Sequence, residues 1–311
     1  MKIVIFGLGS IGKRHAKILK EKLGHEVFAF RTGKGVQVND LDVPELNSWE
    51  EVAAIRPDVA FITNPTRLHV ETAVRCAGSG MHLFIEKPLS DSLKGVNDLE
   101  SLCKKKKLAS YVAYCLRFHP VIKKIKQLLD DKKVIHARVV CSSYLPDWRP
   151  GTDWKKNYSA IKKLGGGVLL DLSHEFDYIG YLFGSITKIK GAFGRISDVT
   201  KDSEDYADVL IRTVKGAEIN LHLDYFSMKN ERTIDISFNG GHISADLISG
   251  KVILIEGKKK KEYLLRIDRD DFTEEQTGYF FKNLNKPRMM NDISQAKILL
   301  AKILEFKNGK R

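Results

Sequence analysis

The chain has 311 residues, 43% of them hydrophobic and 29% charged, an ordinary globular composition with length enough for two domains that each bury a core. The formal net charge of +13 is mostly lysine, densest at 104–107 and 258–261; these read as a helix end and a solvated hairpin tip, hence a lysine-rich solvent surface and no nucleic-acid partner. No stretch approaches the roughly 20 apolar residues of a membrane span, and Cys76, Cys103, Cys115 and Cys141 form no CxxC pair, which speaks against a disulfide framework or a metal centre and for a cytoplasmic setting.

In chain order, Met1-Lys2-Ile3-Val4-Ile5-Phe6 reads as a first strand rather than a signal peptide. Short apolar runs at 3–6, 27–30, 59–62, 82–85 and 111–114 alternate with helical patterns at about 10–22, 48–55, 66–79 and 92–106. Such alternation predicts an α/β fold with a doubly wound, Rossmann-type parallel sheet. A helix near 119–131 leads away, and the boundary is expected near 117, giving domains 1–117 and 118–311. After one helix at 166–183 the period becomes two: Ile219, Leu221, Leu223 and Tyr225 alternate with Glu218, Asn220, His222 and Asp224, and Ile234, Ile236 and Phe238 repeat the pattern. Turn signals at Lys215-Gly216, Asn239-Gly240-Gly241 and Ser249-Gly250 predict hairpins of an antiparallel sheet. A last helix at about 291–307 carries one apolar stripe, Ile293, Ala296, Leu300, Ile303 and Leu304.

The run Gly7-Leu8-Gly9-Ser10-Ile11-Gly12 follows the first strand and opens the first helix. Glycine chemistry there suits a dinucleotide: Gly7 allows the turn, Gly9 lets backbone approach the pyrophosphate, and Gly12 permits close helix–strand packing. Ser10 and Ile11 begin the helix, whose unpaired N–H groups and positive dipole end face the phosphates. An NAD site usually places an acid about 20 residues on. Here the second strand ends Phe30-Arg31-Thr32-Gly33-Lys34, and no acid occurs between Glu26 and Asp40. An acid would repel a 2′-phosphate, whereas Arg31 would bind it with Thr32 and Lys34. The other reading is an ordinary exposed arginine. The expected cofactor is NADP(H), with NAD(H) second.

Two segments carry candidate catalytic groups. Phe84-Ile85-Glu86-Lys87-Pro88 ends the fourth strand, beyond which ligands bind in doubly wound sheets. Lys87 there would hydrogen-bond the reacting oxygen; in isolation, Glu86 and Lys87 read equally as a surface ion pair. In Gly165-Gly166-Gly167-Val168-Leu169-Leu170-Asp171-Leu172-Ser173-His174-Glu175-Phe176-Asp177-Tyr178, the glycines read as a flexible helix entry. The helix would stack Asp171, His174 and Asp177 or Tyr178, with Leu172, Phe176, Ile179 and Leu182 facing a core. A histidine among carboxylates suits proton transfer near neutrality, or is merely satisfied by them.

In this order, the glycine run, Thr63-Asn64-Pro65 with His69, Glu86-Lys87-Pro88, Arg117-Phe118-His119-Pro120 and the GGG…D…H helix resemble the Gfo/Idh/MocA family of glucose–fructose oxidoreductase and inositol dehydrogenase, over nearly the whole chain. The resemblance implies a Rossmann domain followed by an α/β domain with an open, mostly antiparallel sheet that often serves oligomerisation, so a homodimer or homotetramer is expected. It implies that Lys87 contacts the hydroxyl being oxidised and that Thr63, Asn64 and Pro65 approach the nicotinamide ribose, with His69 and Glu86 in the same cofactor-side motifs. It implies that Asp171 and His174 are the carboxylate and acid–base histidine, and that Arg117 borders the substrate. The family commonly places its histidine four residues after the aspartate; here the spacing is three, about 100° away on a helix, and Glu175 holds the four-residue position as a rival acid–base.

Between Tyr144 and Leu164 an irregular stretch carries Trp148, Arg149, Trp154, Lys155, Lys156, Tyr158, Lys162 and Lys163. Aromatic faces suit a sugar ring and Arg149 suits a phosphate or carboxylate; a surface loop anchored by its aromatics accounts for the same residues. With the resemblance, Trp148, Arg149 and Tyr158 join Lys87, Arg117, Asp171 and His174 as the expected substrate set, for a sugar derivative such as a nucleotide sugar or sugar acid. The leading function is reversible hydride transfer between nicotinamide and a sugar hydroxyl or carbonyl. The alternatives are redox-neutral glycoside cleavage or epimerisation on tightly bound cofactor, and a cofactor-sensing regulator.

Overall fold

The computed structural model describes residues 1–31, 39–151, 153–286 and 288–309. Contacts divide the chain into two units, Met1–Tyr114 with Thr273–Leu300, and Cys115–Phe272 with Ala301–Arg311. In the first, β1 (Lys2–Phe6), α1 (Ser10–Lys17), β2 (Glu26–Phe30), β3 (Glu45–Leu46), α2 (Trp49–Ile55), β4 (Val59–Ile62), α3 (His69–Gly78), β5 (His82–Ile85), α4 (Val96–Lys106) and β6 (Ser110–Val112) follow one another. The strands form one parallel sheet in the order β3-β2-β1-β4-β5-β6. Every residue of β4 is buried, as expected of a central strand covered on both faces. The order reverses between β1 and β4, so the crevice beyond their carboxyl ends is the ligand position of such sheets. The expected helix at 10–22 ends in a π-helical stretch, Ile18–Lys22. Strand β3 went unread because two residues carry no periodicity.

The second unit contains α5 (Pro120–Leu128), β7 (Val134–Tyr144), α6 (Val168–Asp171), α7 (Ser173–Phe183), β8 (Ile186–Gly194), β9 (Tyr206–Thr213), β10 (Glu218–Asp224), β11 (Phe226–Phe238), β12 (Gly241–Asp246), β13 (Lys251–Glu256) and β14 (Lys259–Leu264); α8 (Arg269–Lys282) and α9 (Ile293–Lys307) close the chain. The sheet order is β14-β13-β12-β11-β7-β10-β9-β8. Neighbours are antiparallel except β7 and β10, which run parallel. One face is apolar, with Ala137, Val139, Ile211, Ile219, Leu221 and Ile236 buried. The other is polar, with Arg138, Asp208 and Asn220 exposed.

Two expectations need correction here. Of the lysines at 258–261, Lys258 lies in the hairpin turn Gly257-Lys258, while Lys259, Lys260 and Lys261 lie exposed on the edge strand β14. Lysine is compatible with an edge because it stays solvated and discourages further strand pairing. The helix at 166–183 is two helices broken at Leu172. There the Leu172 N–H bonds Val168, four residues back, while the Glu175 N–H bonds Leu172, three back, so the turn tightens and the rows of side chains shift.

The last helices return to the first unit. Phe280, fully buried, sets its ring edge-on to Phe84 and Phe61 (centroids 5.4 and 6.1 Å). Buried Gln276 accepts from the Tyr111 hydroxyl at 3.2 Å. Lys297 pairs with Glu100, and together with Lys104 it holds that carboxyl down at about 2. Among the described residues no helix is long and apolar enough to cross a membrane.

On the polar face of the second sheet, half-buried His222 lies between two carboxylates, Nδ1 2.6 Å from Asp208 and Nε2 3.0 Å from Asp224. The Asp224 bond leads in raising the imidazole pKa from 6.5 to about 9. A raised folded-state pKa stabilises fully below the unfolded value of 6.5 and ceases to do so as pH rises through about 9. Thermal denaturation from pH 6 to 10, values spanning that window, is expected to show Tm falling as pH rises, with His222→Gln flattening the slope between these two pKa values.

Candidate active site

In the first unit the cofactor loop is shaped by contacts that exclude side chains. Gly7 has φ +106°, and a Cβ there would lie 2.8 Å from the Asn64 backbone. A Cβ at Gly12 would collide with the Gly7 carbonyl oxygen and the Thr63 hydroxyl. Thr63 from the end of β4 donates to the Gly7 carbonyl, clamping the loop to the neighbouring strand. Gly9 differs. It is the residue before α1, with φ −75° and no side-chain cap, and a Cβ there meets nothing within 4 Å. Open space at an uncapped helix N-terminus, beside exposed Ser10 and partly exposed Ile11, fits the pyrophosphate of a dinucleotide.

At the end of β2, Arg31 is partly buried and its guanidinium stands 3.6 Å from Glu45 of β3. Glu45 lies beyond Asp40 in sequence, outside the acid-free stretch after Glu26, and pairing of β2 with β3 brings it alongside. Thr32 and Lys34 lie outside the described residues.

Beyond β4 and β5 two motifs are tied together by buried histidines. His69, 2% exposed, sets Nε2 2.8 Å from the Asn64 carbonyl oxygen and Nδ1 2.9 Å from that of Pro88. Two carbonyl acceptors favour the doubly protonated ring, but burial pushes its pKa down and outweighs them; a neutral ring donates to one carbonyl at a time. His69 therefore joins the Thr63-Asn64-Pro65 loop to Pro88 by its ring. Asn64 Nδ2 donates to Thr72, and Pro65 is exposed. Glu86 accepts from His15 Nε2 at 2.7 Å. Burial raises the Glu86 carboxyl, but the His15 bond and charge, with Lys87, outweigh it and hold the pKa below the ordinary range. Lys87 is partly exposed. His15 was not singled out from sequence, yet a signal existed: it occupies the apolar stripe of the first helix, four residues after Ile11 and three before Ile18.

In the second unit Asp171, 4% exposed, accepts three hydroxyls: Tyr158, Ser159 at 2.6 Å and Tyr225 at 3.0 Å. Burial, then the Asp171 charge, push both tyrosine pKa values well up, so both remain donors. Ser159 and Tyr225 were not foreseen; nothing in their spacing marks them. The carboxylates adjacent to His174 in sequence have partners of their own. Asp177 takes a bidentate bond from Arg117 (2.9 and 2.8 Å), and Glu175, with no exposed surface, is paired with Arg232 at 2.7 Å. His174 lies partly exposed in the first turn of α7.

The glycine entry to this helix is close-packed rather than open. A Cβ at Gly166 would strike the Tyr158 and Ser159 carbonyl oxygens, and one at Gly167 the Glu204 carboxylate, which Lys307 holds at 2.6 Å. Ahead of it, Trp148 is 38% exposed, donates to Ser143 at 3.0 Å and meets the Tyr225 ring edge-on at 5.2 Å. Exposed Arg149 lies 5.8 Å over the Tyr158 ring. Trp148, Arg149 and Tyr158 thus share one surface built on the Asp171 hydroxyl cage.

Because the free chain has room for a methyl at Gly9, Gly9→Ala is expected to keep the wild-type Tm while weakening dinucleotide binding at least about tenfold, about 1.4 kcal/mol. Fluorescence titration with NADH and NADPH beside a thermal melt would check both halves.

The family description "Oxidoreductase family, NAD-binding Rossmann fold" matches residues 1–114, and the GFO/IDH/MocA C-terminal domain matches 122–244. Myo-inositol 2-dehydrogenase of Thermotoga maritima is 25% identical over 307 residues, 91% of this chain and 88% of that protein. The 2,7-anhydro-N-acetylneuraminate hydratase of Mediterraneibacter gnavus is 26% identical over 193 residues, 58% of this chain; the match spans about half of that hydratase's length, 49%. A solved levoglucosan dehydrogenase, in complex with NADH and levoglucosan, shares the fold with TM-score 0.83 at 16% identity, covering 99% of this chain and 96% of that one. The chain belongs to the GFO/IDH/MocA family of NAD(P)-dependent oxidoreductases, with an NAD-binding Rossmann domain and the family's C-terminal domain.

Proposed function

We propose that this enzyme moves a hydride between NADP(H) and a hydroxyl or carbonyl carbon of a sugar derivative. The observation that carries the reading is the cradle at Gly9 beside a motif that ends β5 with a partly exposed lysine. The nicotinamide supplies the hydride acceptor or donor when bound. Lys87 donates a hydrogen bond to the substrate oxygen and stabilises negative charge as it develops. His174 takes or returns the hydroxyl proton. Its partial exposure supports this role over Glu175, which is fully buried and engaged by Arg232. Asp171 acts as a positioning residue: three hydroxyls converge on it, and it anchors the surface of Trp148, Arg149 and Tyr158 against which the sugar ring packs. Arg117, paired with Asp177, braces α7 beside the substrate surface.

The NADP preference rests on Arg31 at the end of β2, with Glu45 as its resting counter-ion. The polar face of the eight-stranded sheet, which includes exposed Leu210, is the surface proposed for self-association into a homodimer or homotetramer. A redox-neutral reaction is the second reading, favoured by the hydratase named among the relatives.

Purified enzyme should be screened with myo-inositol, levoglucosan and UDP-N-acetylglucosamine, each with NAD+ and NADP+, following nicotinamide absorbance. Sustained absorbance change with a sugar is expected; product formation without it would replace the dehydrogenase by the redox-neutral reading. On the active pair, His174→Ala should lower kcat by about 100-fold or more, and retained turnover there with loss in Glu175→Gln would reverse the assignment. Arg31→Ala should raise KM for NADP about tenfold and leave that for NAD within about twofold; unchanged KM for NADP would remove the preference.

A further inference from the structure

We propose that His15, acting through Glu86, is a positioning residue for Lys87, an inference that rests on the reading of Lys87 as the group facing the reacting oxygen. His15 stands on α1 three residues past Gly12 and has no exposed surface. Its ring is packed edge-on to Phe84 at 5.1 Å and tilted to Phe61 at 5.4 Å. An imidazole in such an aromatic pocket pays a desolvation penalty that a leucine would not, unless its polar atoms are bonded. Among the described residues Nδ1 has no hydrogen-bond partner, so the polar work of the ring is its bond from Nε2 to Glu86 Oε1 at 2.7 Å.

The other oxygen of the same carboxylate, Oε2, accepts the backbone N–H of Lys87 at 3.2 Å. Glu86 is thereby a two-ended link, one oxygen held by the helix that carries the phosphate loop and the other holding the backbone from which the lysine projects. A solvated Glu–Lys surface pair would have neither the buried histidine nor the second bond. On the opposite flank His69 reaches the carbonyl of Pro88, so Lys87 lies between two anchored neighbours. The His15 anchor alone comes from the cofactor-loop helix. Placement of the ammonium group is thus tied to α1, and a displacement of about 1 Å at a reacting group can cost about 100-fold in rate.

The test uses the full chain and the sugar of the panel that turns over fastest. His15→Leu should lower kcat by about 10- to 100-fold with KM for the dinucleotide within about threefold. His15→Gln, whose amide can still donate to Glu86, should restore most of the loss. In a Lys87→Met background, His15→Leu should add less than about a twofold further loss, because the two changes remove one function. Amide hydrogen exchange at Lys87 in the free chain should accelerate in His15→Leu and return to the wild-type rate in His15→Gln. Glu86→Ala cuts the same link from the other end and carries the comparison should His15→Leu not fold. An unchanged kcat, a full additional loss in the Lys87→Met background, or unaltered exchange at Lys87 would each overturn the proposal. Full turnover by Lys87→Met alone would instead remove the reading of Lys87, and the proposal with it.

Discussion

No side-chain carbon fits at Gly12, because the Gly7 carbonyl oxygen and the Thr63 hydroxyl already fill that space. This one steric limit sets much of the first unit. It presses the start of α1 against the end of β1, and the bond from Thr63 to Gly7 joins both to the end of β4. Those two strands flank the switch in strand order, so the crevice there is framed by backbone instead of side chains. Backbone N–H groups at a helix N-terminus then face open space at Gly9, and an anion is the natural complement. The motifs after β4 and β5 are fastened to this frame by His69 and by His15.

The second unit solves a different problem, that of ionised groups away from water. Asp171, Glu175 and Asp177 fall within seven residues, and all three are buried. Each is matched separately: three hydroxyls for Asp171, Arg232 for Glu175 and Arg117 for Asp177. Removing either arginine would leave a buried carboxylate without its partner, at a cost of about 3–5 kcal/mol. The arrangement leaves His174 the partly exposed side chain in this acidic run. Sequence adjacency suggested carboxylates flanking the histidine. The structure adds arginine partners for Glu175 and Asp177 that adjacency does not reveal.

What was legible in the sequence is what one strand or one loop determines alone. The apolar runs at 59–62 and 82–85 coincide with β4 and β5, since strands buried on both faces need no context to be read. The glycines at 7, 9 and 12 announced their loop by spacing; those at 7 and 12 relieve distinct steric demands, and the one at 9 leaves open space. What stayed hidden depends on partners distant in sequence. Glu45 meets Arg31 only through strand pairing, and Tyr225 finds Asp171 across 54 residues. The long strand β7 is weakly alternating, with Val139, Val140, Cys141 and Ser142 all buried in succession, so its period of two is blurred. Helix α8 buries polar Thr273, Gln276 and Thr277, which no apolar stripe reveals.

The first unit is not contiguous along the chain: residues 273–300 complete a core begun by residues 1–114. During synthesis, which proceeds at roughly 5–20 residues per second, the faces of Phe61, Phe84 and Tyr111 emerge long before Phe280 and Gln276, which are to cover them. The nascent Rossmann sheet must wait, with aromatic surface uncovered, while residues 115–272 are made. A chain cut after residue 114 ends with the glycine loop, the two buried histidines and Lys87 all present, but with its aromatic floor open to solvent.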